Sequence, residues 1–460
     1  MRNMDTFDVM VIGAGSAGRY GARAAAEHGA KVGLIETGPF GGLCILKGCM
    51  PTKAYLRSAE LVGLIQRGPT LGVYTEGKIR IDFAHIKKRK DGLIAEMAHY
   101  AKMGIDGEKN ITLLTGSARF LSPEKIQVGT RIYTCKKYLI ATGSKETIPP
   151  LPGLAETGFI TSDDALSMEE LPASLILLGG GVEALEFGQF FHRMGVNTTI
   201  IQRSAHLLSA EDCDVGECLG EIFRKDGIAL YTGTAIKQIK MKNGLKSVSF
   251  EHEGKNILVS ASEILVVTGR AGNVAELGLD AAGVTTNKAG IPVNEYLQTS
   301  NKNIYAAGDV TGINLVVNVA THQGRVAGSN VMQGPHEKSN YRVIPVAVFT
   351  DPQFAKVGLS EKEAKAQGIA VQVGKYPFDD LGKAIVTDQT EGFIKILADV
   401  KSGEILGVQI VGAEASNLIH QAAIAMHYHA TLQDYASIAH IHPTLAEIML
   451  YLVDDMLGID

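Results

Sequence analysis

Nowhere in its 460 residues does the chain run close to the roughly 20 consecutive apolar residues a membrane span requires, so a transmembrane helix is not expected. A basic excess is missing too. Lys and Arg number 44 against 49 Asp and Glu, a formal charge of -5, so neither phosphate neutralisation nor nucleic-acid binding is indicated. Cysteine is scarce: five are present, an odd count too small for a secreted disulfide framework. No Cys-x-x-Cys pair occurs, which argues against a structural zinc site. A strand-like apolar run begins at Phe7, leaving no room for a signal peptide ahead of it. A cytoplasmic protein is expected.

Glycine, by contrast, is abundant. The 52 glycines make up about 11% of the chain, against a usual share of about 7%. Glycine lets backbone turn tightly and approach a ligand closely. The first concentration lies between an apolar run at residues 7–12 and an Ala-rich helical stretch at residues 19–27. It reads Gly13-x-Gly15-x-x-Gly18. A second strand, residues 31–35, ends at Glu36. Strand, glycine turn, helix and a terminal acid form a dinucleotide-binding unit: helix N-terminal N–H groups take the pyrophosphate and the acid accepts from ribose hydroxyls. The theme returns at residues 175–201. There Gly179-Gly-Gly181-x-x-Ala184 lies between strand and helix, and the next strand ends in Gln202-Arg203. A carboxylate at that strand end would repel a ribose 2′-phosphate, whereas an arginine pairs with one. Gln202 and Arg203 therefore favour NADPH over NADH, the alternative being that Arg203 is an ordinary solvated arginine.

Gly42-x-Cys44-Ile-Leu-Lys-Gly48-Cys49-Met-Pro51-Thr-Lys53 follows the first unit directly. On a regular helix, cysteines five apart stand about 7.5 Å apart along the axis, too far for an unstrained disulfide. Gly48 and Pro51 permit a local distortion that would bring them together. An accessible, strained disulfide is a labile one, and Lys53 and a helix start would favour the thiolate. Two buried free thiols are the plain alternative. Cys213 and Cys218 repeat the spacing in an acidic setting, without the glycine and proline, and are read with Cys135 as structural.

Six ordered motifs carry a resemblance that spans essentially the whole chain. They are the first glycine turn, the Cys44/Cys49 stretch, Ala141-Thr142-Gly143, the second glycine turn, Thr299-Ser300 through Gly308-Asp309, and His442-Pro443-Thr444-x-x-Glu447. The sequence resembles the class I pyridine nucleotide-disulfide oxidoreductases, which include dihydrolipoamide dehydrogenase, glutathione reductase and mercuric reductase. The resemblance implies an α/β fold with two Rossmann-like dinucleotide-binding domains and a C-terminal α+β dimerisation domain. The expected divisions are an FAD-binding domain in two parts, 1–148 and 272–338, an NAD(P)-binding domain at 149–271, and an interface domain at 339–460.

The same resemblance implies residue roles. Cys44 would be the interchange thiol that meets substrate and Cys49 the thiol facing the flavin. His442, oriented by Glu447, would be the acid–base residue, supplied across a homodimer whose active site is shared. Glu36 would bind the FAD adenosine ribose and Asp309 the ribityl chain, with backbone contacts from Ala118 and Val317. Lys53 would lie near the flavin and pair with Glu186. Gly42, Thr142, Gly143, Gly269, Arg270 and Gly308 complete the expected cofactor contacts. No metal is expected: His427, His429, His440 and His442 bring no cysteine or carboxylate constellation with them.

Several positions depart from the family pattern: Leu43 and Leu46 beside the cysteines, Val182 and Glu183 after the second glycine turn, and a missing proline after Arg270. The sequence ends at Asp460 without a cysteine pair, which argues against mercuric reductase. The expected activity is flavin-dependent dithiol/disulfide exchange coupled to NAD(P)(H), most like dihydrolipoyl dehydrogenase, on a small dithiol or disulfide substrate. A glutathione reductase-type NADPH-dependent disulfide reductase, or an electron-transfer flavoprotein without disulfide turnover, are the alternatives.

Overall fold

A computed structural model describes residues 6–459. Residues 1–5, the start of the expected first domain, and Asp460, the end of the expected cysteine-free terminus, lie outside the described residues. The chain divides into two compact units. One comprises the chain up to Thr52, Lys87–Thr147 and Arg270–Tyr341; the other comprises Lys53–Ile86, Ile148–Gly269 and the chain from Arg342 onward.

The first unit is built on a five-stranded parallel sheet. Its order is Ile304–Ala306, Tyr138–Ile140, β1 (Val9–Ile12), β2 (Val32–Glu36) and β3 (Ile111–Thr115). β1 is buried along its whole length, as expected for a strand covered on both faces. It begins two residues later than the apolar run, because Phe7 packs into the core ahead of the ladder. Helix α1 (Ser16–Glu27) follows β1 and lies against the helix Val317–Gln333. Small residues allow an unusually close crossing. A Cβ on Gly324 would sit 2.4 Å from the Ala17 carbonyl oxygen, and one on Gly328 would sit 2.3 Å from that of Gly21. The many glycines thus serve helix packing as well as turns.

In the second unit, a four-stranded parallel sheet runs Ala229–Tyr231, Asn197–Ile201, Ser174–Leu178 and Glu263–Val266. Its glycine turn leads into the helix Val182–Arg193, which starts three residues earlier than the apolar spacing suggests. The same unit holds a five-stranded antiparallel sheet that includes Val346–Val348, Phe393–Asp399 and Ile405–Gly412. Helices Ala415–His427 and Glu447–Leu457 pack on that sheet around Ile394, Ile396, Val408 and Ile410. The last helix begins at Glu447 rather than 444: residues 445–446 form a turn, and the Thr444 N–H is taken by the Glu447 carboxylate at 2.7 Å. Two three-stranded meanders, 118–134 and 235–261, were not apparent in the sequence.

Candidate redox and dinucleotide site

The first glycine turn is a bare-backbone cradle. Gly13 has φ +100°, and a Cβ on it would lie 2.4 Å from the Ala141 carbonyl oxygen. A Cβ on Gly18 would fall 1.8 Å from the Gly13 oxygen. Gly42 joins the same point, for its Cβ would meet the Gly15 Cα at 2.4 Å. At the end of β2, the Glu36 carboxylate accepts from the N–H groups of Ala14 at 2.9 Å, Thr37 at 2.8 Å and Gly38 at 3.1 Å. An acid able to accept from ribose hydroxyls is thereby held against a turn whose backbone N–H groups are the donors a pyrophosphate needs.

Asp309 closes the other side of this unit. Burial pushes its carboxyl above the usual range, against the Ser144 hydroxyl and the charge of Arg270. The Ser144 hydroxyl donates to Asp309 at 2.7 Å, and Arg270 reaches Ser144 and Glu146. Arg270 sits on a short strand paired with Ser144–Glu146 and belongs to the first unit, whereas Gly269 is the last residue of the Ile148–Gly269 segment of the second. Thr142 donates to the Asn273 carbonyl at 2.7 Å, and Gly143 takes φ +70°. Gly308, at φ +80°, donates its N–H to buried Gln323 at 2.7 Å. Ser144 and Gln323 escaped the sequence reading. Gln323 was detectable as a polar interruption on the small-residue face of its helix. Ala118 opens a strand of the first meander, and Val317 is the first residue of its helix, with an N–H free of intrahelical duty.

The cysteines lie on two helices rather than one. Cys44 is the third residue of α2 (Gly42–Leu46), and Cys49 is the first of α3 (Cys49–Arg67). The break falls at Lys47–Gly48. Here a Cβ on Gly48 would lie 3.5 Å from the Cys44 Cα and 3.1 Å from the Leu43 oxygen, so the chain folds back over Cys44 just before Cys49. Pro51 does not cause the distortion; it sits in the first turn of α3, where its missing N–H costs nothing. Both cysteines are half-buried.

Within the second unit, the Lys53 ammonium lies 2.8 and 2.7 Å from the two carboxylate oxygens of Glu186. Glu186 is only 3% exposed and also accepts from the Phe349 N–H at 3.0 Å. The Phe349 ring stands 4.6 Å from the same ammonium. The second glycine turn repeats the first. Gly179 has φ +135°, and a Cβ there would lie 2.2 Å from the Val267 oxygen. Gly181 caps the following helix, and Ala184 is fully buried, so this turn makes room for a methyl where the first has none. Gln202 is buried beneath Gly180 and accepts from the Arg203 N–H at 3.0 Å, while Arg203 is exposed. Val182 is 43% exposed at the start of the helix.

His442 Nδ1 is 3.0 Å from Glu447, whose other oxygen accepts from the Thr444 N–H at 2.7 Å. Burial works to raise the Glu447 carboxyl, but these two bonds hold it below the usual range. The His442 side chain is 70% exposed. Cys135 and Cys218 are held as thiols by burial, which pushes Cys218 up to about 11. Cys213 is exposed on the first turn of Cys213–Lys225. Among the described residues, one group of three carboxylates has metal-ligand proximity: Asp212, Asp214 and Glu361. Its charge is met by the Lys395 ammonium, at 3.2, 2.7 and 2.8 Å.

Two glycine-turn parallel sheets and an antiparallel α+β sheet define a class of two-nucleotide oxidoreductase. Residues 7–324 match the pyridine nucleotide-disulphide oxidoreductase family, and residues 344–452 match its dimerisation domain. The chain belongs to this FAD-binding, pyridine nucleotide-using family, and the dimerisation domain indicates a homodimer. It is 36% identical over 442 residues to mercuric reductase of Staphylococcus aureus, covering 96% of this chain and 81% of that one. It is 34% identical over 462 residues to a dihydrolipoyl dehydrogenase of Bacillus subtilis (strain 168), covering 96% of both. Among solved structures, the Cu(II) complex of the HOCl-induced flavoprotein disulfide reductase RclA from Escherichia coli superposes with a TM-score of 0.87. That match has 26% identity and covers 98% of this chain and 99% of the other. Among the described residues, no helix is long and apolar enough to cross a membrane.

Proposed function

We propose that the protein is an NAD(P)(H)-dependent dithiol/disulfide oxidoreductase of the dihydrolipoyl dehydrogenase type, working through Cys44 and Cys49. The observation that carries this reading is the break between α2 and α3, which folds the chain back over Cys44 immediately before Cys49. Bound FAD supplies the two-electron exchange between this pair and the nicotinamide. Its cradle is made by Gly13, Gly15, Gly18 and Gly42, with Glu36 for the ribose and Asp309 for the ribityl chain.

In the reducing direction, the Cys44 thiolate attacks one sulfur of a substrate disulfide. A mixed disulfide forms, and the other substrate sulfur leaves as a thiolate. His442 gives that thiolate a proton, in an active site shared across the dimer. The Cys49 thiolate then attacks Cys44 Sγ, closing the Cys44–Cys49 disulfide and releasing the second substrate thiolate. The oxidation of a dithiol runs the same steps backwards, with His442 taking the protons. A histidine buttressed by an ionised carboxylate suits this shuttle near neutral pH. Lys53 is fixed by Glu186, and Gln202 with Arg203 favours NADPH over NADH without excluding NAD+ as the acceptor for dihydrolipoamide.

The similarity to mercuric reductases supports a second reading, in which a soft metal ion takes the place of the disulfide at the same thiol pair. Turnover assays separate the readings: dihydrolipoamide with NAD+, oxidised glutathione with NADPH, and Hg(II) or Cu(II) with NADPH. Turnover of dihydrolipoamide is expected. Its absence alongside metal-dependent NADPH oxidation would replace the first reading with the second.

A further inference from the structure

Arg19 is the fourth residue of α1, one helical turn beyond Gly15 and so on the same face. That face meets the start of α2, where the backbones of Gly15 and Gly42 nearly touch. Cys44 lies only two residues farther along, about 3 Å of helix rise. The Arg19 guanidinium stands 6.0 Å from the ring of Phe40, the residue leading into Gly41 and Gly42. Its Nε is buried and has no hydrogen-bond partner among the described residues. Arg23, one turn farther on, is occupied otherwise: it pairs with Glu108 at 3.0 Å and with the Gly104 carbonyl at 2.7 Å.

We propose that Arg19 is a positioning residue for the thiol pair, its guanidinium placed beside α2 to hold Cys44 in the thiolate form. This rests on the reading of Cys44 as the thiol that meets substrate. Burial and the nearby Arg23 both work against the charge on Arg19, while Tyr20 and Cys44 favour it. An arginine stays charged through such burial where a lysine readily yields its proton. The titratable groups nearest Cys44 in the sequence are Lys47 and, at the start of α3, Cys49. Glu36 is the acid closest in the sequence, and it is engaged by three backbone N–H groups. A cation beside a sulfur raises the thiolate fraction and thus the rate of attack on a disulfide.

The test is alkylation of the two-electron-reduced holoenzyme by iodoacetamide across a pH series, with modification at Cys44 read by mass spectrometry. In the wild type, the Cys44 midpoint is expected below the ordinary thiol value of about 8.5. Arg19→Gln should raise it by about one pH unit or more, and Arg19→Lys by less, with FAD content unchanged in both. A wild-type midpoint at or above about 8.5 overturns the proposal without recourse to any variant. An unmoved midpoint in Arg19→Gln overturns it as well. Loss of FAD from Arg19→Gln, with an unmoved midpoint in the enzyme that retains flavin, assigns the charge to the cofactor phosphates instead. A reduced wild type whose Cys44 resists alkylation at every pH would instead defeat the parent reading of the cysteine pair.

Discussion

The Lys53 ammonium lies between the two carboxylate oxygens of Glu186, at 2.7 and 2.8 Å, although the residues are 133 positions apart in the chain. Glu186 is almost wholly buried. Removing one member of such a pair leaves an uncompensated buried charge, which costs about 3–5 kcal/mol, whereas replacing both with apolar groups can be neutral. Lys53→Met should therefore destabilise the protein strongly, and Lys53→Met/Glu186→Leu should recover much of the loss. Chemical denaturation of the four proteins in the cycle measures this. A double variant less stable than Lys53→Met would contradict a paired role.

Asp309 is held protonated more readily in the folded chain than in the unfolded one, because burial outweighs its bond from Ser144. The folded state therefore binds more protons as pH falls through the raised value, and this residue's contribution to stability declines as pH rises. Asp309→Asn should stabilise the flavin-free protein at neutral pH, within the about 0.5–2 kcal/mol typical of favourable single changes, while weakening FAD retention. Thermal melts with and without FAD separate the two effects.

Lys395 has the opposite electrostatic setting. Burial works to raise the carboxyls of Asp212 and Asp214, but backbone N–H groups of Glu361 and Lys362 and the Lys395 ammonium hold the first below its usual range. The Lys395 and Lys375 ammoniums do the same for the second. Carboxylates depressed in the folded state contribute stability that is complete above their unfolded values and is lost as pH falls through the folded ones. The cluster should thus keep its stabilising effect at pH 5 and lose it below about pH 4, the unperturbed carboxylate range. Lys395→Met should weaken that acid-side dependence and lower stability at pH 7, as read by denaturant titration at several pH values.

These charge clusters mark the limit of what the sequence alone revealed. The glycine turns, Glu36 and the cysteine stretch were legible because each depends on residues close in sequence with a stereochemical requirement: positive φ at Gly13 and Gly179, or backbone contact at Gly18. The Lys395 cluster joins residues separated by up to 183 positions, and no local pattern announces it. The role of Gly324 and Gly328 in bringing two helices together was likewise hidden, since a glycine inside a helix resembles a weakness until its neighbour is known. The helix break at Gly48 was anticipated, but Pro51 was given a share in it that the first turn of α3 does not require. The Gln323 anchor of Gly308 needed the fold to bring helix and turn together.

The proposed preference for NADPH rests on Gln202 and Arg203. If Arg203 pairs with a 2′-phosphate, its loss removes a charge-assisted bond of about 1.5–3 kcal/mol, or roughly 10- to 150-fold in affinity. Arg203→Ala should raise KM for NADPH by a factor in that range and leave KM for NADH nearly unchanged. Equal effects on both nucleotides would return Arg203 to the role of a solvated surface residue.

His442 is exposed, yet held by Glu447, and is proposed to exchange protons with substrate thiols. His442→Gln should lower disulfide turnover about 10²- to 10⁴-fold. It should leave reduction of the bound flavin by NAD(P)H intact. Stopped-flow reduction of the flavin alongside steady-state turnover distinguishes the half-reactions.

The most direct test of the Cys44–Cys49 relay is the visible spectrum of the flavin-loaded protein during anaerobic addition of one two-electron equivalent. The wild type should develop a long-wavelength charge-transfer band before the flavin bleaches, with two thiols newly titratable. Cys44→Ser should show that band without reduction, since Cys49 is then a permanent thiolate, and Cys49→Ser should never show it. Direct bleaching of the wild-type flavin, with no band and no new thiols, would contradict the account.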